Sequence, residues 1–205
     1  MQGPAGAGDA QFVPQGAFGV LVGLGHEVRR ALAADLEVLD LAKVAAQALA
    51  SFENVKRRME VRGTVAGVTV YDDFAHHPTA ITTTVDGLRR RVGQSRILAV
   101  LEPRSNTMKL GIMKAQLPNS LEAADKIFAY GASTGKDSLG WNLSEVLAPL
   151  NAKSDNRAAA FDDLSALVKA VANEAKPGDH ILVMSNGGFG GVHQKILTAI
   201  QEKAK

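Results

Sequence analysis

From Val68 onward, short apolar runs alternate with longer stretches that have helical features. The runs are rich in β-branched, aromatic and other apolar residues and have the length of strands. They cover Val68–Tyr71, Ile97–Leu101, Lys126–Tyr130, Ala158–Phe161 and His180–Met184. The last run is apolar from Ile181 to Met184, which is typical of a central strand covered on both faces. This alternation predicts βαβ units and a mostly parallel sheet.

The stretches between these runs carry apolar residues at helical spacing. In one of them Asp162 is a candidate N-cap, and Leu164, Leu167, Val168 and Val171 form its buried stripe. The predicted helices cover Pro78–Arg91, a segment ending near Ala124, Asn142–Leu150, Asp162–Ala175 and Val192–Lys203. We therefore predict a three-layer α/β domain with helices on both faces of its sheet.

The amino-terminal part of the chain has a different character. Residues 1–25 are rich in Gly, Ala, Gln and Pro and sustain no period, so a loose hairpin, a flexible leader and the edge of a missing domain all stay open. Asp40 is a candidate N-cap for a helix over Leu41–Ala50, whose Leu41 and Val44 fall on one apolar stripe. A polar, basic connector, Ser51–Glu60, follows. We expect a domain boundary there, between residues 1–55 and 56–205.

Composition excludes several classes of protein. A formal net charge of +2 is too small to indicate a nucleic-acid partner, and the basic triplet at Arg89–Arg91 is typical of a solvated helix end. The chain has no cysteine, which excludes disulfides, thiolate catalysis and zinc–thiolate sites. No apolar run approaches the ~20 residues of a membrane span, and no secretory signal is present. We expect a cytoplasmic protein without a membrane partner.

Two glycine patterns resemble nucleotide-binding motifs without matching them. The segment Val22–Val28 begins like a dinucleotide fingerprint, but a valine occupies the third glycine position. The segment Gly131–Asp137 is one residue shorter than a P-loop, and Asp137 stands where a magnesium-binding Ser or Thr is needed. We interpret the second segment as a surface turn. The chain therefore contains no intact cradle for a triphosphate.

Ionisable residues are concentrated where the first apolar run ends. Asp72, Asp73, His76 and His77 lie between that run and Pro78, which suits the first turn of a helix. In an open α/β sheet such a loop lies at the carboxyl end of a strand, where ligands bind. These side chains could hold a divalent metal, or contact the sugar and base of a nucleotide. They could also form a helix-capping loop with solvated charges.

Two further loops follow strands and so reach the same edge of the sheet. The loop Glu102–Lys109 contains Arg104, whose planar guanidinium suits a carboxylate or a phosphate. The loop Ser185–Gly191 contains four glycines, which allow backbone N–H groups to approach an anion at a helix N-terminus. The convergence of the three loops predicts a ligand site at this edge.

Three segments carry a resemblance to a known family. The sequences VYDDFAHHPTAI, LAVLEPRSNTMKLG and HILVMSNGGFGGVHQKIL closely resemble the carboxyl-terminal domain of the Mur ligase family, in particular its peptidoglycan-recycling members. The similarity runs from about Leu41 to Ile200, and Phe52–Gly63 resembles the junction between the central and carboxyl-terminal domains. The resemblance implies a Rossmann-like domain of a ligase that uses ATP and Mg²⁺. The ligase joins the tripeptide L-Ala-γ-D-Glu-meso-diaminopimelate to UDP-N-acetylmuramate through an acyl phosphate.

The resemblance also implies roles for individual residues. Arg58 and Asp72 would contact the nucleotide, with Asp73 and His76 close to it. The residues of the later loops would face the peptide; they are Arg104, Ser105, Asn106, Ser185, Asn186, Gly187, Gly188 and Phe189. No catalytic residue and no metal ligand is assigned within this chain.

The chain departs from the family in what it lacks. The motifs of an amino-terminal UDP-sugar domain and of a central ATPase domain are absent, including the P-loop, the magnesium carboxylates and a modified lysine. We therefore expect a carboxyl-terminal domain that follows a helical remnant of the central one and is inactive alone. Two alternatives are a metal-dependent hydrolase built on Asp72, Asp73, His76 and His77, and a non-catalytic module that binds nucleotide or peptide.

Overall fold

The computed structural model describes residues 37–50, 55–135, 138–154 and 156–205. The chain divides into two units, Met1–Asn54 and Val55–Lys205. Our expectations for residues 1–25, including the glycine pattern at Val22–Val28, lie outside the described residues.

Helix α1 (Glu37–Ala50) is the described part of the first unit. It begins before Asp40, so that residue lies within the helix and the prediction that it is the N-cap is wrong. Leu41 and Val44, which we placed on an apolar stripe, are 62% and 59% exposed.

The second unit contains a six-stranded sheet in the order β1-β2-β6-β3-β4-β5. The strands are β1 (Glu60–Val65), β2 (Val68–Asp73), β3 (Ile97–Leu101), β4 (Lys126–Tyr130), β5 (Ala158–Phe161) and β6 (His180–Met184). β1 runs antiparallel to β2, and every other neighbouring pair is parallel. The predicted mostly parallel sheet is confirmed, whereas the antiparallel edge strand β1 was not predicted.

Helices cover both faces of this sheet, because successive strand residues point to opposite sides. In β3, Ile97, Ala99 and Leu101 face one core, and Leu98 and Val100 face the other. The helices are α2 (Pro78–Val92), α3 (Asn106–Lys109), α4 (Leu117–Ser120), α5 (Leu143–Lys153), α6 (Leu164–Glu174) and α7 (Val192–Lys203). Buried residues of α2, α4 and α5 belong to the first core, and those of α6 and α7 to the second. The three-layer α/β architecture is thus confirmed.

Two helix predictions need correction. The segment ending near Ala124 is not one helix, because α3 and α4 are separated by a turn at Gly111, whose φ of 75° favours glycine. The N-cap of α6 is Asp163 and not Asp162, since the Asp163 carboxylate accepts a 2.7 Å hydrogen bond from the Ala166 N–H. None of the helices in the described ranges is long and apolar enough to cross a membrane.

The position of β6 decides which loops become neighbours. This strand is the last in the sequence, yet it lies between β2 and β3 and is parallel to both. The carboxyl ends of β2, β6, β3 and β4 therefore follow one another along a single edge of the sheet. The loops that leave these strands are the ones in which the sequence places its candidate chemistry.

Candidate functional site

Asp73, at the end of β2, fixes the loop that follows. It is 2% exposed, and its carboxylate accepts hydrogen bonds from the N–H groups of Met59 and Ala75 and from the hydroxyl of Thr84, at 2.8–3.2 Å. A carboxylate has about four acceptor positions, so most of its capacity is used by the chain itself. The nucleotide contact that the resemblance implies for Asp73 would therefore have to use the second acceptor position of Oδ2.

Asp72 is also buried, and two basic side chains flank it. The Arg57 Nε lies 3.3 Å from its carboxylate, and the His193 Nε2 lies 3.2 Å from its Oδ1. The contact with His193 has the distance of an ion pair but not the angles of a hydrogen bond, since Nε2 has no hydrogen-bond partner. Asp72 is thus the centre of a small charged cluster at the carboxyl end of β2.

The pKa of His193 lies below its ordinary value. Burial lowers this pKa most strongly, and the positive charges of Arg62 and Arg57 lower it further, whereas the negative charge of Asp72 raises it. The balance favours the neutral imidazole at pH 7. Asp72 therefore relies on Arg57, and not on His193, as its charged partner.

The rest of this loop forms an aromatic and cationic surface. Phe74 lies beneath two guanidinium groups, those of Arg57 at 5.2 Å and Arg58 at 5.7 Å from its ring centroid. The rings of His76 and His77 are 4.3 Å apart, and the His76 Nδ1 lies 2.8 Å from the carbonyl oxygen of Phe74. Flat, partly charged groups of this kind suit a nucleobase and its phosphates.

The alternative of a metal-dependent hydrolase does not fit this geometry. Within the described ranges, no group of three or more His, Asp or Glu side chains is arranged to hold a metal ion. Asp73 accepts hydrogen bonds from its own chain, and Asp72 pairs with Arg57. Asp72, Asp73, His76 and His77 are close in sequence, but the described residues do not form a set of metal ligands from them, and so give this alternative no support.

The glycine loop, Ser185–Gly191, uses several of its N–H groups within the protein. The N–H of Ser185 donates to the Asp73 carbonyl, that of Gly187 to the Ser185 hydroxyl, and that of Gly191 to the Gly188 carbonyl, at 2.9–3.2 Å. The Ser185 hydroxyl in turn donates to the Glu102 carboxylate. The expectation that this loop offers its N–H groups to an anion is therefore wrong for these three positions.

Phe189 belongs to the core as much as to the loop. It is 2% exposed and its ring centroid lies 5.8 Å from that of Tyr130. Its φ of 42° is unusual for a residue with a side chain, and the following Gly190 also has a positive φ. A Cβ at position 190 would come within 2.6 Å of Leu164 Cδ2. The loop can therefore insert Phe189 beneath itself only with glycine at this next position.

A cavity of about 440 Å³ lies at the carboxyl ends of β3 and β4, beside the glycine loop. It is lined by Glu102, Arg104, Tyr130, Ala132, Thr134, Gly135, Leu164, Phe189 and Gly190. The segment Gly131–Asp137, which we predicted to be only a surface turn, supplies three of these residues. One guanidinium and one carboxylate thus line a space of the size that small ligands occupy.

Six of the eight predicted peptide contacts do not line this cavity, namely Ser105, Asn106, Ser185, Asn186, Gly187 and Gly188. The Ser105 hydroxyl oxygen accepts a hydrogen bond from the Met108 N–H and so caps the short helix α3, whose first residue is Asn106. The structure also adds residues that our sequence analysis did not select, namely Arg57, Glu102 and His193. Each lies within or beside a segment that we singled out, but no local pattern distinguishes these residues from their neighbours.

Comparison with known proteins agrees with this architecture. Residues 57–187 match the family described as "Mur ligase, glutamate ligase domain". The chain is 52% identical over 163 residues to the UDP-N-acetylmuramate–L-alanyl-γ-D-glutamyl-meso-2,6-diaminoheptandioate ligase of Escherichia coli K12, a match that covers 78% of this chain and 34% of that protein. The chain spans about a third of the length of this relative and of the corresponding ligase of Haemophilus influenzae.

Solved structures of other proteins are also similar to this one. A domain assigned to a UDP-N-acetylmuramate:L-alanyl-γ-D-glutamyl-meso-diaminopimelate ligase of Haemophilus ducreyi has 50% identity and a TM-score of 0.57, over 70% of this chain and 99% of that one. The murein peptide ligase of Psychrobacter arcticus has 42% identity and a TM-score of 0.64, over 77% of this chain and 32% of that one. Since the family match covers well over half of the residues, this chain belongs to the Mur ligase family.

Proposed function

We propose that this domain forms one wall of the active site of an ATP-dependent ligase, and that the wall binds the peptide that is joined. The relatives named above are ligases of UDP-N-acetylmuramate and L-alanyl-γ-D-glutamyl-meso-diaminopimelate, and we extend that activity to the protein containing this chain. The observation that carries the proposal is the cavity between Arg104 and Phe189, in a domain 52% identical to one of those ligases.

The chemistry of the cavity suits a peptide with free carboxylates and amino groups. The guanidinium of Arg104 can bind a carboxylate through two parallel hydrogen bonds, and Glu102 supplies a negative charge for an ammonium group. The ring of Phe189 and the side chain of Leu164 provide apolar contacts between these charges. In this role the domain holds the peptide so that its amino group can attack an activated carboxyl group.

The residues at the end of β2 are proposed to contact the nucleotide. ATP would activate the muramyl carboxylate as an acyl phosphate, and Arg58, Asp72, Asp73 and His76 would contact the adenosine end. The cationic and aromatic surface around Phe74 supports this assignment. The described residues offer no set of ligands for Mg²⁺, so we place that ion on another domain. A cytoplasmic location remains a prediction.

A chimeric enzyme tests this proposal. Residues 55–205 would replace the corresponding domain of the Escherichia coli relative, and phosphate release would be measured with ATP, UDP-N-acetylmuramate and tripeptide. We expect turnover that requires the tripeptide. In the same chimera Arg104→Ala should raise the KM for tripeptide and leave the KM for ATP unchanged.

Two outcomes would contradict the proposal. A folded chimera that binds the tripeptide without turnover would support the binding-module alternative instead. An unchanged tripeptide KM in the Arg104→Ala chimera would remove the cavity from the peptide site.

A further inference from the structure

Arg57 connects two parts of the carboxyl edge, although it does not line the cavity. Its Nε group faces Asp72 at the carboxyl end of β2, and its Nη2 donates to the carbonyl oxygens of Ser185 and Gly187 in the glycine loop. The distances to the two carbonyls are 2.5 and 2.9 Å. One guanidinium therefore holds the glycine loop against the end of β2.

The backbone of Arg57 is itself fixed, so the guanidinium has a defined origin. Its N–H donates to the Glu60 carboxylate at 2.9 Å, and its carbonyl oxygen accepts the N–H of Phe74 at 2.9 Å. Its φ is 59°, and that of Met59 is 51°, in the left-handed region that side chains disfavour. Such a conformation persists only where surrounding contacts hold it. The hydrogen bonds of the Arg57 N–H and carbonyl groups supply that restraint.

Gly187 transmits this restraint to Arg104. Its carbonyl oxygen accepts the hydrogen bond from Arg57, and a Cβ at this residue would lie 2.3 Å from Arg104 Nη1. The Arg104 side chain therefore packs directly against the Gly187 Cα. Movement of Gly187 would remove the surface on which the Arg104 guanidinium rests.

We propose that Arg57 is a positioning residue that orients Arg104 for the peptide through Gly187. The glycine loop is the physical link, because it is bonded to Arg57 and in contact with Arg104. The effect of the loop on peptide affinity rests on the proposed function of the cavity. The effect of Arg57 on the position of the loop does not depend on that function. Arg57 is the third residue of the second unit, so the segment that enters the domain helps to set its peptide site.

Amide hydrogen exchange in the 205-residue chain, without any ligand, tests the first step. In Arg57→Ala the N–H groups of Gly187 and Gly191 should exchange at least about tenfold faster, because the loop loses charge-assisted hydrogen bonds. Exchange in β3 and β4 should stay unchanged. Arg57→Lys should give an intermediate rate, since one ammonium cannot reproduce the geometry of the guanidinium.

Arg62→Ala is the matched control. Arg62 lies on β1, five residues after Arg57, and its ion pair is with Glu60, so its removal should leave loop exchange at the wild-type rate. Thermal unfolding of each variant would show whether it is folded. If Arg57→Ala does not fold, Arg57→Lys and Arg57→Gln carry the test. Wild-type loop exchange in folded Arg57 variants would overturn the proposal.

Tripeptide binding to the same proteins, measured by calorimetry, tests the second step. Arg57→Ala should weaken binding about tenfold, and Arg57→Ala with Arg104→Ala should bind no more weakly than Arg104→Ala alone. Fully additive losses would show that Arg57 acts independently of Arg104 and would overturn that step. If the wild-type chain binds no tripeptide while loop exchange responds to Arg57, the proposed function fails and the loop-positioning role stands.

Discussion

Gly187 is constrained on two sides, and this makes the peptide site sensitive to a single methyl group. Its carbonyl is held by Arg57, and the space beside its Cα is filled by Arg104. Gly188, the next residue, has no heavy atom within 4 Å of its Cβ position. The two glycines are equivalent in the sequence pattern, but only Gly187 is in contact with the guanidinium proposed to bind the peptide.

Gly187→Ala should weaken tripeptide binding about tenfold with little loss of stability. The new methyl would displace Arg104 Nη1, which is the end of a flexible side chain, so the backbone need not move. Calorimetry with the tripeptide and thermal unfolding would measure the two effects. Gly87→Ala is the control, because Gly87 lies on α2, away from the cavity, and nothing lies within 4 Å of its Cβ position. Equal affinities in both variants would contradict the role of Arg104.

His193 should make the stability of the domain depend on pH. Burial lowers its pKa in the folded state, so the unfolded chain binds a proton at higher pH than the folded chain does. The free energy of unfolding should therefore fall as the pH decreases below the ordinary histidine value of 6.5. One such group contributes at most about 1.4 kcal/mol per pH unit.

Urea unfolding at about pH 7.5 and pH 5.5 tests this sign. The wild-type chain should lose more stability between the two conditions than His193→Gln does. His180, whose pKa burial also lowers, is present in both proteins, so its contribution cancels. An identical pH dependence in the two proteins would contradict the expectation.

Part of the site could be predicted from the sequence because strand ends and glycine clusters are local features. The sequence placed Asp72, Arg104 and the glycine loop at one edge, and the structure places them there. It could not distinguish Arg57 from Arg58, because the positive φ at Arg57 decides which guanidinium reaches the glycine loop. The burial of Phe189 depends on backbone angles in the same way.

Secondary structure elements follow the sequence wherever an apolar run is buried. The last four predicted strands have the observed bounds, and β2 extends two residues further than predicted, to Asp73. β1 has no apolar run in its sequence. The side chains of Val61, Arg62 and Thr64 are exposed, and Gly63 lies against Leu197. It becomes a strand by hydrogen bonding to β2 at the edge of the sheet. That pairing is a tertiary interaction, which a local pattern does not reveal.

Helix α2 contains a glycine that lowers its stability. Gly87 is exposed in the interior of the helix, and nothing lies within 4 Å of its Cβ position. Gly87→Ala should therefore raise the free energy of unfolding by about 0.5–1 kcal/mol, because alanine restricts the unfolded chain and favours the helix. Urea unfolding of the two proteins measures the difference. A lower stability would show that the methyl group meets an obstacle in α2.

At the scale of the whole molecule, strand order creates the site. The sequence predicted the strands but not that β6 lies between β2 and β3. This order places the glycine loop between the end of β2, which carries Asp72, and the loop that carries Arg104, so that Arg57 and Arg104 both contact Gly187. Sheet order depends on contacts between distant parts of the chain, and no local pattern specifies it.

The 205-residue chain should fold but should not release phosphate from ATP. Folding is expected because helices close both faces of the six-stranded sheet around two buried cores. Catalysis is not expected, because phosphoryl transfer needs a phosphate cradle and a metal ion to offset developing negative charge. The segment Gly131–Asp137 does not supply that cradle. Its residues Ala132, Thr134 and Gly135 line the cavity, and the next helix begins only at Leu143, with Asn142 as its cap.

Incubation with ATP, magnesium, UDP-N-acetylmuramate and tripeptide, followed by phosphate measurement, tests this expectation. A cooperative unfolding transition in the same preparation would show that any inactivity is not caused by misfolding. The chimera containing residues 55–205 is the positive control, because it restores the missing cradle to an identical domain. Phosphate release by the chain alone at the rate of the chimera would contradict our proposal that another domain supplies the phosphate cradle and the metal ion. The nucleotide chemistry would then have to reside among the residues around Asp72.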